Sequence, residues 1–421
     1  MAKYKKPPKI KPINNFLVLF ILSAFQLATG FIGASVKEGF NMNAFLALAL
    51  LVATEWVYLV FFYTVFHRRN FELELIAFFL SGVGLVTIGS VYPDSAFKQY
   101  FMVLAGLVAF IALVFILGHV DFCMKIRPYV AIAAIVLLII NLAIAGYTNG
   151  AKNWIEIFGV TLQPSEFVKV AFIFVGAATL EKIQTSRNII AFIIFSVGCV
   201  GALILMRDFG TALIFFITFL ILAFMTSGDI KTIVLAVTSA VMGGAIVLKY
   251  RSYVLRRFDI YRHVWEYPFD QGMQQTRVLV GIASGGLFGV GIGNGYVRSY
   301  YAPVSDSIFG VICEEWGLIF GVIMVLSFVA IAISALTNSI ASRSAFYSIG
   351  AIAAAGLLLF QCGLNVFGIT DILPLTGVTI PFVSLGGSSM ISCWALLAFI
   401  KASDVRTYNY LGNVKKGGAD K

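Results

Sequence analysis

Apolar residues along this chain come in long continuous runs, not in alternations. The runs fall at about 16–34, 44–66, 71–91, 100–118, 128–146, 167–181, 189–206, 210–227, 231–248, 308–336, 346–369 and 388–402. An α-helix rises about 1.5 Å per residue, so roughly 20 apolar residues cross a hydrocarbon core of about 30 Å. The pattern therefore predicts an all-α chain with about 12 transmembrane helices. A β-barrel is excluded, because its spans are roughly ten-residue alternations. The sixth run is short and has Lys169 inside it, and one long polar stretch, about 249–306, precedes the tenth run.

Composition agrees. Of 421 residues, 60 % are apolar and 12 % charged, about half the roughly 25 % charge of a soluble domain. A soluble fold of this balance would expose large apolar patches. No remaining stretch is long enough for a soluble domain. With the N-terminus inside, eighteen Lys and Arg fall on the inner side and four in the short outer loops. That is the positive-inside asymmetry, with both termini cytoplasmic. The net charge of +10 is thus explained by topology, and a nucleic-acid partner is not expected. The basic start MAKYKKPPKIKP precedes an apolar run, Phe16–Gly33, without a small-residue cleavage site, so a retained first helix is expected. Cys123, Cys199, Cys313, Cys362 and Cys393 show no CxxC spacing, and His67, His119 and His263 are isolated, so packing thiols and no zinc site are expected.

The long outer loop breaks the charge rule with Lys249, Arg251, Arg256, Arg257, Arg262, Arg277 and Arg298. Two readings fit: attraction to anionic headgroups, or recognition of an anionic substrate such as a lipid phosphate. Ionisable residues in or beside spans mark candidate chemistry: Glu166 and Lys169, Arg207 and Asp208, Asp306, Glu314 and Glu315, and Asp371. Glu166 and Lys169 share a helix face, as a structural ion pair or a site. Asp208 suits a helix N-terminus. Asp306, between the basic loop and an apolar run, reads either as an N-cap or as a general base. One of Glu314 and Glu315 must face the bundle interior. Gly285–Gly295 lacks both GxGxxG and GK[ST], so no nucleotide is expected. Leu373–Ser389 places prolines, glycines and serines between two spans, and irregular backbone at such depth lines a cavity.

Five stretches in order, GAKNWIEIFGVTLQPSEFVK (Gly150–Lys169), RDFGT (Arg207–Thr211), ASGGLFGVGIGNG (Ala283–Gly295), SDSIFGVICEEWG (Ser305–Gly317) and LPLTGVTIPFVSLGGSS (Leu373–Ser389), resemble the SEDS family, the FtsW/RodA/SpoVE group. The resemblance implies a ten-helix peptidoglycan glycosyltransferase in the bacterial cell membrane, active on its outer face during elongation, division or sporulation. Its substrate would be lipid II, an undecaprenyl-pyrophosphate-linked disaccharide pentapeptide. Its partners would be a class B penicillin-binding transpeptidase and other elongasome or divisome membrane proteins. A lipid II flippase is the alternative function.

Site roles carried over by the resemblance are Asp306 as catalytic base, with Trp154, Gln163, Ser165, Glu166, Lys169, Asp208, Glu314, Glu315, Ser384 and Ser388 around the substrate. Arg256 and Arg257 would stabilise an undecaprenyl-pyrophosphate leaving group, with a divalent cation (Mg2+ or Mn2+) as possible cofactor. One base and a stabilised leaving group imply a single displacement with inversion. The chain departs from the family at Asn153 (usually Arg), Arg207 (usually Pro), Arg277 (usually Gln) and in YAPVS, which lacks a Glu before the aspartate. The expected organisation is a basic N-tail (1–15), two additional helices (16–70), a family-like core (71–402) containing the loop 249–306, and a basic C-tail (403–421).

Overall fold

The computed structural model describes residues 14–36, 39–147, 150–157, 160–181, 186–231, 259–300 and 303–408, with four isolated positions between 232 and 241. Most of the ninth expected run, and Arg256 and Arg257, lie outside them. Among the described residues the chain forms α1 (Asn15–Ala34), α2 (Met42–Val65), α3 (Glu72–Val91), α4 (Ala96–Leu117), α5 (Val120–Ile144), α6 (Pro164–Leu180), α7 (Ser186–Leu205), α8 (Phe209–Ser227), α9 (Met273–Gly285), α10 (Ile308–Trp316), α11 (Leu318–Ile340), α12 (Ala345–Ile369) and α13 (Gly387–Ser403). Seven of these, α1 to α5, α11 and α12, are long and apolar enough to cross a membrane, and α7, α8 and α13 hold shorter apolar stretches. The all-α polytopic membrane architecture follows.

Three features differ from the apolar pattern. The expected span 308–336 is two helices, because Gly317 breaks it at φ 93°, ψ 160°, a region essentially restricted to glycine. Continuous apolarity concealed the break. Second, the start of the long loop's C-terminal half is the amphipathic helix α9. Third, a short antiparallel hairpin pairs β1 (Ile155–Ile157) with β2 (Val160–Leu162), Glu156 opposite Thr161.

The two N-terminal helices pack as part of the bundle. Gln26 of α1 donates to Glu55 Oε1 of α2 at 2.8 Å and to the Phe78 carbonyl of α3 at 3.3 Å. Trp56 donates to Ser23 at 2.9 Å. Such interhelical bonds hold helices together where lipid supplies no hydrophobic contrast. Phe25, Phe79, Trp316 and Phe320 stack α1 and α3 against α10 and α11. All five cysteines are free and buried.

One end of the bundle is locked by buried charge. Glu74 of α3 accepts from Arg68 and, at 3.0 Å, from Lys401 of α13, which also donates to the Asn70 carbonyl. Asn70 in turn donates to Asp404 at 2.7 Å. At the opposite end the loops converge on an open cavity. Gly285–Gly295 wraps the α10–α11 junction, Val290 and Gly291 donating to the Glu314 and Glu315 carbonyls at 2.9 and 3.0 Å. A Cβ on Gly317 would sit 2.3 Å from the Leu287 carbonyl oxygen. Gly317→Ala is therefore expected to lower stability by about 1–3 kcal/mol from backbone conformation alone, read as a lower thermal unfolding midpoint in detergent. An unchanged midpoint would show that the junction relaxes freely.

Candidate active site

The cavity, about 970 Å³, is enclosed by the C-terminal end of α5, the β1–β2 hairpin, the N-terminal ends of α6, α8 and α9, the turn at Ser305–Asp306 and the loop Leu375–Leu385. It brings together five of the expected site residues, Trp154, Gln163, Glu166, Asp208 and Asp306, from segments up to about 150 positions apart in the chain.

Its floor is a buried polar junction. Glu166 stands in the first turn of α6, where Pro164 fixes the helix start and the N-terminal amides favour an acid. Lys169, one turn on and 1 % exposed, reaches Glu166 Oε2 at 2.7 Å and Gln361 Oε1 of α12 at 2.9 Å. Ser392 of α13 donates to Glu166 Oε2 at 2.6 Å, and Gln361 Nε2 donates to the Thr379 carbonyl at 3.0 Å. The two readings of this pair merge: it is a structural ion pair whose carboxylate lines the cavity.

Asp208 is the N-cap of α8, accepting from Thr211 N at 3.1 Å. Its other oxygen, Oδ2, accepts from Gln163 at 3.1 Å and Asn153 at 3.2 Å. Capping and cavity placement thus coincide. Asn153, at a departure from the family pattern, supplies a neutral donor to this carboxylate.

Asp306 is not the cap of α10. Ser307 holds that position, without a side-chain cap bond. The Asp306 carboxyl faces the cavity beside Gly377, whose φ is +71° and where a Cβ would lie 3.4 Å from Oδ2. Burial pushes its pKa up to about 6, a Ser305 hydrogen bond acting in the opposite sense. The backbone here is clamped: Asn365 of α12 donates to the Asp306 carbonyl at 3.0 Å and to the Val378 carbonyl at 2.5 Å.

The remaining residues support these walls. Ser384 donates to the Ser305 carbonyl at 2.7 Å and accepts from Ile380 N at 2.9 Å. Ser388 accepts from Gln163 N at 3.2 Å, and Ser165 is fully buried. Glu314 and Glu315 do not line the cavity. Glu314 accepts from Val297 N at 2.8 Å, while Glu315 meets Arg298 at 3.3 Å and Arg298 donates to the Ser90 carbonyl. They fasten the glycine-rich loop. Among the described residues no three His, Cys, Asp or Glu side chains converge as metal ligands.

Sequence reasoning missed Gln361 and Asn365, two amides four apart in an apolar helix, although that spacing in a span is itself a signal. It also missed Gln274, which donates to Ser307 at 2.8 Å and lines the cavity, and Glu156 of the hairpin. Replacing Lys169 by Met leaves Glu166 buried without its counter-charge. Stability should fall by about 3–5 kcal/mol, with Glu166→Gln in the same chain recovering part of it. Equal unfolding midpoints for Lys169→Met and wild type would show that the pair is not what holds α6 to α12.

The chain is similar to known proteins. A family model for the FtsW/RodA/SpoVE group, described as cell cycle protein, matches residues 75–409. The probable peptidoglycan glycosyltransferase FtsW of Bacillus subtilis is 30 % identical over 360 residues, covering 76 % of this chain and 87 % of that one. Stage V sporulation protein E of the same organism is 28 % identical, covering 76 % and 92 %. The peptidoglycan glycosyltransferase RodA of Mycobacterium leprae is 27 % identical, covering 76 % and 74 %. Among solved structures, a chain of a peptidoglycan synthase complex described as coordinating polymerization and crosslinking superposes with a TM-score of 0.65 at 22 % identity, over 79 % of this chain and 96 % of that one. RodA of Thermus thermophilus gives 0.58 at 22 % identity, over 79 % and 95 %. With four-fifths of its length inside the family match, ending at 409 and beginning just after the two extra helices, this chain belongs to the FtsW/RodA/SpoVE family of cell cycle proteins.

Proposed function

We propose that the chain is a peptidoglycan glycosyltransferase that polymerises lipid II at the outer face of the bacterial cell membrane. The observation that carries this reading is the single cavity gathering Asp306, Glu166, Asp208, Gln163 and Trp154 at one end of the bundle. With both termini cytoplasmic, the loops lining it fall on the outer side. A cavity of about 970 Å³ is at the upper end of ligand pockets, in keeping with a sugar headgroup whose lipid tail stays in the bilayer.

Asp306 acts as general base. Its carboxylate takes the proton of the acceptor sugar hydroxyl as that oxygen bonds to the donor's anomeric carbon. The bond from that carbon to the diphosphate oxygen breaks, and undecaprenyl diphosphate leaves with the electron pair. Attack opposite the leaving group inverts the anomeric centre. Glu166, Lys169 and Asp208 hold the floor and wall against which the sugars lie. Arg256 and Arg257 of the long loop belong to the proposal as stabilisers of the leaving diphosphate. A Mg2+ or Mn2+ ion belongs to it only as a companion of the substrate phosphates, since such ions are commonly held by one or two carboxylates plus phosphate oxygens. A class B penicillin-binding protein is the proposed partner, by analogy with relatives described in a synthase complex.

Labelled lipid II, incubated with wild type and Asp306→Asn, each with and without a cognate transpeptidase, tests this. Wild type should yield glycan chains, and the variant about 10²–10⁴-fold fewer at equal folding and partner binding. Chains from the variant at the wild-type rate would remove Asp306 from the chemistry. Transport of lipid II by a wild type that never polymerises would instead favour the flippase.

The pH profile is a second test. A base must be ionised, so kcat/KM should rise as pH passes about 6. The linkage to stability has the opposite sign. A carboxyl whose folded pKa is raised favours folding when protonated. That contribution is complete below its unfolded value of roughly 4 and is lost as pH rises through about 6. Wild type should therefore gain activity over the window in which it loses a little stability, and Asp306→Asn should lose the stability change. An activity profile flat from pH 5 to 7 would contradict the assignment.

A further inference from the structure

The charge inventory of the cavity is lopsided. Its described lining carries four carboxylates, Glu156, Glu166, Asp208 and Asp306, and one cation, Arg207. Arg207 adopts φ +63°, a left-handed conformation sparsely populated by non-glycine residues. Its guanidinium carbon lies 5.1 Å from the ring centroid of Tyr147, and the Lys152 ammonium lies 4.9 Å from the same centroid. Arg207 lines the cavity, while Tyr147, 61 % exposed, follows the lining residue Gly146 and Lys152 stands between the lining residues Ala151 and Asn153, which puts the three at the cavity rim.

The two cations are brought together by backbone, not by accident of side-chain reach. Lys152 N donates to the Met206 carbonyl at 2.8 Å, and Asn153 reaches Asp208. Residues 152–153 therefore run alongside 206–208. Asn141, buried in α5, anchors the same crossing through Met206 Sδ at 3.1 Å. None of the ion pairs among the described residues involves Lys152.

Each cation gains from the ring face, and an anion placed between the two would gain from both charges at once. Arg supplies a planar fork that suits one phosphoryl group, and Lys a point charge that suits the next. We propose that Lys152 and Arg207, held against Tyr147, form a diphosphate-binding subsite at the cavity rim. The identification of its ligand as the lipid diphosphate of donor or product rests on the glycosyltransferase reading. The subsite also accounts for the wall chemistry around it: the neutral Asn153 amide holds Asp208, so the wall's cavity-facing positive charge resides on Arg207.

Binding tests this directly, with the full chain in neutral phosphatidylcholine nanodiscs and undecaprenyl diphosphate as probe. Lys152→Gln combined with Arg207→Gln should weaken binding at least tenfold, and undecaprenyl monophosphate should be affected less. Arg207→Lys, which keeps charge but loses the fork, should fall between. If the double variant does not fold, as judged by its unfolding midpoint, Lys152→Gln alone is read instead and should weaken binding about threefold or more. Wild-type affinity in the folded variants overturns the proposal. So does a loss confined to nanodiscs containing phosphatidylglycerol, which would identify a phospholipid headgroup as the occupant. A chain that never polymerises lipid II but still loses diphosphate binding in these variants would sink the glycosyltransferase reading and leave the subsite standing.

Discussion

A lysine with almost no access to solvent sets the geometry of this protein's cavity. Lys169 ends a four-carbon stem inside the bundle, where an unpaired ammonium is prohibitively costly. It is satisfied by Glu166 on its own helix and Gln361 on α12. Each partner is itself held, Glu166 by Ser392 of α13 and Gln361 by the carbonyl of Thr379. One desolvated charge thus fixes three helices and the edge of an irregular loop. Glu166 can face the cavity as a carboxylate only because Lys169 stands beneath it.

The same logic governs the backbone. The loop between α12 and α13 is not helical, and in a membrane protein its N–H and C=O groups must find partners within the protein or at a wet cavity. Asn365, Ser384 and Gln361 supply them, and Asn365 also clamps the carbonyl of Asp306. The residue proposed as base is therefore positioned through its main chain, leaving its side chain to face the cavity. A carboxyl placed this way is partly stripped of water, which is why its proton affinity rises toward the range a base needs near neutral pH.

The two N-terminal helices precede the family match yet are not loosely attached. Gln26, Glu55 and the Phe78 carbonyl make a polar contact in the apolar interior, and Tyr58 joins the Glu74 cluster at 3.1 Å. The glycine-rich loop, with Glu314 and Glu315 beneath it, braces the break at Gly317. In this way acids that read as candidate substrate ligands serve the loop that frames the cavity.

Much of this was legible in the chain itself. Continuous apolar runs set the all-α membrane class and the places of most helices, the Lys and Arg asymmetry set an expected orientation, and Glu166, Asp208 and Asp306 stood out as charges too costly to be incidental. Those signals are local: they depend on span length and on the price of a charge in hydrocarbon, both of which a linear reading contains. What the linear reading lacked was direction and distance. The break at Gly317 is invisible to hydropathy because a glycine at φ 93° is as apolar as its neighbours. Glu314 and Asp306 are eight residues apart, yet only the turn of α10 decided that one faces a loop and the other the cavity. Lys152, which drew no notice in its loop, and Arg207, a candidate in another, meet on one ring because a backbone bond joins their segments. The order of residues alone says which charges must be buried and paired; which partners they find is decided by the folded bundle, since pairing depends on where helices cross.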